Sequence, residues 1–127
     1  GHVDGFFGDI PGLIGNIKSG KLKALGIAAP KRSAALPEVK TFAEMGVPGV
    51  DSNNWYALFV KAGTSKAEIE RINAVIKKVL AQDDIKNRLL QSGTEPVGSS
   101  SEELANVLKN DINKWTKLIK AKNIKPE

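Results

Sequence analysis

The sequence predicts an α/β fold with a helix-rich C-terminal half. Two short apolar runs, residues 3–8 and 22–29, flank a stretch in which apolar residues recur at helical spacing. An aromatic and β-branched run fills 54–60, and from Ser65 onward the apolar positions fall into stripes with a period of three to four residues.

Taken in order, Val3-Asp4-Gly5-Phe6-Phe7-Gly8 reads as a short strand entering a Gly-Asp-Ile-Pro turn. Pro11 opens a helix, because a proline at the first helical position gives up no hydrogen bond. Leu13, Ile14 and Ile17 supply its apolar face, and Gly20 is a natural stop. Residues 22–29 are small and apolar, end at Pro30 and read as a buried strand, so that strand, helix and strand form a parallel βαβ crossover. Residues 30–54 are rich in Pro, Gly, Ser and Asn, with one short helical turn over Thr41–Met45. Connections of this length are uncommon inside a domain unless they are functional or pass between lobes. Residues 54–60 then give a strand. Ser65 and Glu68 have capping-box spacing before a stripe of Ile69, Ile72, Val75, Ile76, Val79 and Leu80. Asp83 caps a shorter helix that stops at Gly93, and 94–97 is at most an edge strand because Pro96 cannot donate to a ladder. A second capping box, Ser100 with Glu103, opens a last helix carrying Leu104, Val107, Leu108, Ile112, Trp115, Leu118 and Ile119.

With 127 residues, 41% of them apolar, the chain is long enough to bury a hydrophobic core. No window approaches the run of about 18 apolar residues that a membrane span needs. The first residues lack the regions of a secretory signal, so an export signal is expected to have been removed or to lie upstream. Cysteine is absent, which excludes disulfides, thiolate metal sites and a cysteine nucleophile. The net charge of +5 raises the question of nucleic acid. Its lysines are spread over helices and lack interleaved aromatics, which describes solvated helix faces, with a mild field favouring anionic solutes.

The inventory for catalysis is poor. His2 is the only histidine and stands at the chain start, where it reads as a remnant or frayed end. The acidic pairs Asp83-Asp84, Glu102-Glu103 and Glu68/Glu70 sit at helix starts, where the macrodipole favours negative charge. No glycine cluster fits a dinucleotide or phosphate loop. The residues therefore indicate no enzyme, no cofactor and no metal. A better candidate is the turn Gly8-Asp9-Ile10-Pro11-Gly12, at the carboxyl end of an expected parallel strand, where open α/β sheets place ligands. Backbone N–H groups at the start of the following helix suit a carboxylate or other anion. Asp9 either pairs with an amine or hydroxyl of a ligand or caps the helix. Phe7, Gly8 and Asp9 are the residues expected to face a ligand. Of Trp55 and Tyr56, on opposite faces of a strand, one packs and the other is free to line a cleft beside Asn53 or Asn54. Arg32 reads as a surface or loop-anchoring cation.

Several segments, in order along the chain, resemble the substrate-binding receptors of tripartite tricarboxylate transporters, also called Bug proteins. They are Gly1-His2-Val3-Asp4-Gly5-Phe6-Phe7, Ile17 to Gly26, Lys31-Arg32-Ser33 with Leu36-Pro37-Glu38-Val39, and Thr41-Phe42-Ala43-Glu44-Met45-Gly46. Trp55-Tyr56-Ala57-Leu58, Ala62-Gly63-Thr64, Arg71-Ile72-Asn73 and Gly93 to Gly98 continue the agreement. Lys40, Val60-Lys61 and Ser65-Lys66 depart from the family pattern, at positions that bear on loop rigidity.

The resemblance implies the C-terminal part of a two-lobed periplasmic-binding-protein (Venus-flytrap) fold. Residues 1–29 are expected to end the second lobe, 30–54 to cross back, and 55–127 to complete the first lobe. It further implies an extracytoplasmic, periplasmic receptor that captures a small carboxylated solute (a dicarboxylate, citrate, an amino acid or an aromatic acid) and delivers it to a membrane permease. The alternative from the residues alone is a small basic nucleic-acid-binding domain or a self-associating interaction domain.

Overall fold

The computed structural model of this chain describes residues 3–125; Gly1 and His2, including the expected terminal remnant, lie outside the described residues. Its helices are α1 (Ile10–Lys18), α2 (Lys66–Leu80), α3 (Asp83–Ser92) and α4 (Ser101–Ala121), with a 3₁₀ turn at Ala43–Met45 where a short helical turn is expected. The chain divides into two compact units, one of Gly1–Tyr56 with Val79–Pro96 and one of Ala57–Lys78 with Val97–Glu127. No helix among the described residues is long and apolar enough to cross a membrane.

The helix-rich half of the α/β reading is met, but the individual strands are not formed. Among the described residues the β pairing is one isolated parallel bridge, Ile27 with Thr41. The expected βαβ crossover is therefore corrected: 3–8 and 22–29 do not pair with each other, and 54–60 and 94–97 enter no ladder. The physical reason is that β-rich composition reports fitness for a pleated, half-buried surface. A ladder also needs a neighbour offering N–H and C=O groups in register, which composition does not specify. Residues 22–29 instead find a partner in the connection, through Ile27 N–H to Lys40 O at 2.9 Å and Phe42 N–H to Ile27 O at 3.0 Å.

The expectation of a hydrophobic core is likewise corrected. In the first unit the buried residues are Ile27, Leu36 and Thr41, and none of the four α-helices buries a residue. The stripes on α2 and α4 are amphipathic as the spacing predicts, yet Val75, Ile112 and Trp115 stay exposed, with the Lys114 ammonium 5.1 Å from the Trp115 ring centroid. A stripe records which face is apolar; burial requires a second layer against it.

Helix ends follow local chemistry with three adjustments. Pro11 is the second residue of α1, which begins at Ile10. Ser65 Oγ accepts the Glu68 N–H at 3.2 Å, but the Glu68 carboxylate turns to Arg71, leaving half a capping box. Gln82, not Asp83, stands at the N-cap of α3, so Asp83 acts through its charge in the first turn. The box at α4 is complete: Ser100 Oγ accepts from Glu103 N–H at 3.1 Å and Glu103 Oε2 accepts from Ser100 N–H at 2.7 Å. The Ser100 N–H first, and the Ser100 hydroxyl donating to the same oxygen at 2.9 Å second, hold the Glu103 carboxyl below its ordinary range.

In the first unit α1 packs against α3. Their contact closes at Gly93, which ends α3 in the left-handed region at φ +85°, with Ile10 at the position a Cβ would take. Gly93→Ala is expected to lower stability by at least about 1–2 kcal/mol from backbone strain alone, with the collision against Ile10 adding to it. Urea unfolding checks this, and an unchanged midpoint would show that neither the left-handed backbone nor the α1–α3 contact restricts this site.

Candidate functional site

The turn singled out in the sequence is built by the start of α1. Asp9 is the N-cap, with extended backbone (φ −80°, ψ 136°), and its side chain makes no capping bond to the helix. Asp9 Oδ2 instead accepts a hydrogen bond from Asn54 Nδ2 at 3.0 Å. Of the two roles open to Asp9, plain capping is thus not the one its side chain adopts. The first N–H groups of an α-helix have no intrahelical acceptor, and here the Asp9 carboxylate does not take them. Pro11 has none to offer, which leaves those of Ile10 and Gly12 on either side of it.

Gly8 lies close to the helix it precedes: a Cβ there would come within 2.9 Å of Leu13 Cδ1 and of Phe6 Cε2. Phe7 is 77% exposed, although its ring stacks on Phe42 with centroids 6.0 Å apart and planes at 25°. The three predicted residues are therefore brought together on an exposed segment, Phe7 against Phe42, Gly8 against Leu13 and Phe6, and Asp9 against Asn54. Trp55 is half-buried and Tyr56 exposed, in keeping with opposite faces of an extended segment. Asn54, named beside them as a hydrogen-bonding residue, is the one that reaches Asp9, while the Asn53 N–H bonds Asp51 Oδ1 at 3.4 Å.

Arg32 anchors a loop, as read. It bonds Glu44 and the Pro37 carbonyl. The sequence reading assigned no role to Glu44, yet a signal was present: Thr41-Phe42-Ala43-Glu44 has capping-box spacing. In the structure Glu44 Oε2 accepts the Thr41 N–H at 2.8 Å and Thr41 Oγ1 accepts the Glu44 N–H at 3.2 Å. The Arg32 guanidinium first, and the Thr41 N–H second, hold the Glu44 carboxyl down to about 2. Among the described residues no cluster of His, Asp and Glu could hold a metal ion.

The arrangement of helices and loops has counterparts among solved proteins of one class. The structure described as "R. palustris Rpa4515 with adipate" superposes with a TM-score of 0.82 at 26% identity, covering 93% of this chain and 40% of that one. The periplasmic binding protein BugD superposes with a TM-score of 0.79 at 26% identity, covering 91% of this chain and 39% of that one. The fold is thus a portion of the periplasmic-binding-protein fold. In sequence, a protein of Pseudomonas sp. (strain P51), described as "UPF0065 protein in tcbD-tcbE intergenic region", is 36% identical over 120 residues, which are 94% of this chain and 36% of that protein. Residues 1–124 match the model of the family described as "Tripartite tricarboxylate transporter family receptor". The chain belongs to this receptor family, and it spans at most about two fifths of the length of these relatives.

Because the Glu44 carboxyl is depressed from 4.5 to about 2, its contribution to stability is complete above pH 4.5 and is lost as the pH falls toward 2. A carbon-detected titration of the Glu44 carboxyl is expected to give a midpoint near 2. A midpoint near the ordinary glutamate value would mean that the Arg32 contact does not persist in solution.

Proposed function

We propose that this chain is part of an extracytoplasmic solute receptor rather than an enzyme, and that the whole receptor works in the periplasm. It captures a small carboxylated solute between two lobes and hands it to the membrane permease of a tripartite tricarboxylate-type transporter. The observation that carries this reading is the family match over residues 1–124, joined to a solved relative whose description names adipate, a dicarboxylate. The local chemistry agrees. The α1 N-terminus offers N–H groups that the Asp9 side chain leaves uncapped, and such groups together with the helix dipole suit a carboxylate.

In this reading residues 1–29 end the second lobe, 30–54 carry the chain back, and 55–127 complete the first lobe. The extended segments 3–8 and 54–60 pair with strands supplied by the rest of the receptor, and the exposed stripes on α2 and α4 are covered there. Phe7, Gly8 and Asp9 face the solute, the aromatic ring bordering it and the turn presenting its backbone. Closure is a hinge motion, favoured because the solute makes more contacts in the closed state than in the open one.

The test is calorimetry on the receptor carrying both lobes, titrated with adipate and with citrate. Asp9→Ala is expected to weaken binding of whichever solute the receptor takes. Unchanged affinity would remove Asp9 from the site.

A further inference from the structure

The connection that joins the two bridge residues, Ile27 and Thr41, and the 3₁₀ turn that follows it hold a side-chain network with no role in the proposed function. Arg32 Nε donates to both carboxylate oxygens of Glu44, at 3.0 and 2.9 Å, and Nη2 donates to Oε1 at 2.8 Å. Its remaining nitrogen, Nη1, donates to the Pro37 carbonyl at 3.0 Å. Glu44 in turn is tied to Thr41 through both its carboxylate and its N–H, and Thr41 is 2% exposed. An isolated surface ion pair samples many geometries. One made with several bonds and fastened to the backbone at Pro37 and Thr41 has few.

Phe42 stands in the sequence between Thr41 and Glu44. Its N–H is bonded to Ile27 O and its ring is half-buried, within 3.4 Å of the position a Cβ on Gly26 would take. Phe7 stacks on that ring, and Phe7 runs directly into Gly8 and Asp9. The segment 3–9 has no ladder of its own among the described residues, so its placement depends on side-chain attachments such as this one.

We propose that the Arg32–Glu44 clip is a positioning network for the Phe7-Gly8-Asp9 turn, acting through the Phe42 ring. Its bearing on solute binding rests on the reading of that turn as solute-facing; its bearing on the turn's geometry does not. Arg32 and Glu44 touch no solute in this account. They fix the backbone on which Phe42 stands, and Phe42 fixes the approach of residues 6–9 to α1.

The experiment is amide and aromatic NMR on the 127-residue chain without ligand. Glu44→Gln is expected to shift the Gly8 and Asp9 amide signals and the Phe7 ring signals, while those of α4 stay in place. Phe42→Leu is expected to shift the same signals with the clip intact, and Glu44→Gln added to Phe42→Leu should then produce no further shift at Gly8 and Asp9. A purely local role for the clip would move residues 41–45 alone. Stationary Gly8 and Asp9 signals in both single variants would overturn the proposal. If Glu44→Gln unfolds the first unit, Phe42→Leu decides it: stationary signals there overturn it and shifted signals support it. Calorimetry of the Glu44→Gln receptor with adipate separates the two readings. Shifted signals with unchanged affinity would sustain the positioning role and contradict the solute-facing role of the turn.

Discussion

The first unit is organised by the bridge between Ile27 and Thr41. Its two hydrogen bonds, from Ile27 N–H to Lys40 O and from Phe42 N–H to Ile27 O, fasten the end of one apolar run to the connection that follows it. The three buried residues among the described ones, Ile27, Leu36 and Thr41, all belong to this neighbourhood. A single bridge is a weak element by itself, since strand pairing gains from repetition. Here the side chains around it replace that repetition: Thr41 is bonded to Glu44, Glu44 to Arg32, and Arg32 to the Pro37 carbonyl. Thr41, the one buried polar residue of this cluster, therefore finds its partner in Glu44, and no buried side-chain nitrogen or oxygen among the described residues is left unsatisfied.

How much of this is legible in the sequence depends on the range over which each signal acts. Signals within one turn read through well. Gly20 and Gly93 stop their helices in left-handed backbone, and Ser100 with Glu103 makes the full box. Competition at the same range is less legible, because Glu68 has two local partners within reach, Ser65 and Arg71, and the guanidinium gains the stronger, charge-assisted contact. Signals that need a partner far along the chain are the ones that mislead. Residues 54–60 have the composition of a strand, but composition does not say where the neighbouring strand comes from. The apolar stripes of α2 and α4 in the same way mark a face without marking what covers it.

The candidate site follows the same division. Phe7, Gly8 and Asp9 are adjacent in sequence, so their proximity was never in question. What the sequence could not supply is the Asn54 bond to Asp9, across 45 positions, or the Phe7–Phe42 stack, across 35. These two contacts decide that Asp9 is turned away from capping its helix and that the aromatic ring rests against the connection. Glu44 was missed for a different reason. Its spacing from Thr41 is that of a capping box, but the 3₁₀ turn it lies in is only three residues long, too short for an apolar period to announce it.

The function proposed for the receptor rests on one physical claim, that the uncapped start of α1 and the turn before it receive a carboxylate. Crystallography of the two-lobed receptor with a bound dicarboxylate such as adipate tests it most directly. The account predicts a carboxylate oxygen within hydrogen-bond distance, about 2.7–3.2 Å, of a backbone N–H in the Gly8–Gly12 turn. A dicarboxylate bound with both carboxylates held elsewhere, and no contact to this turn, would contradict it.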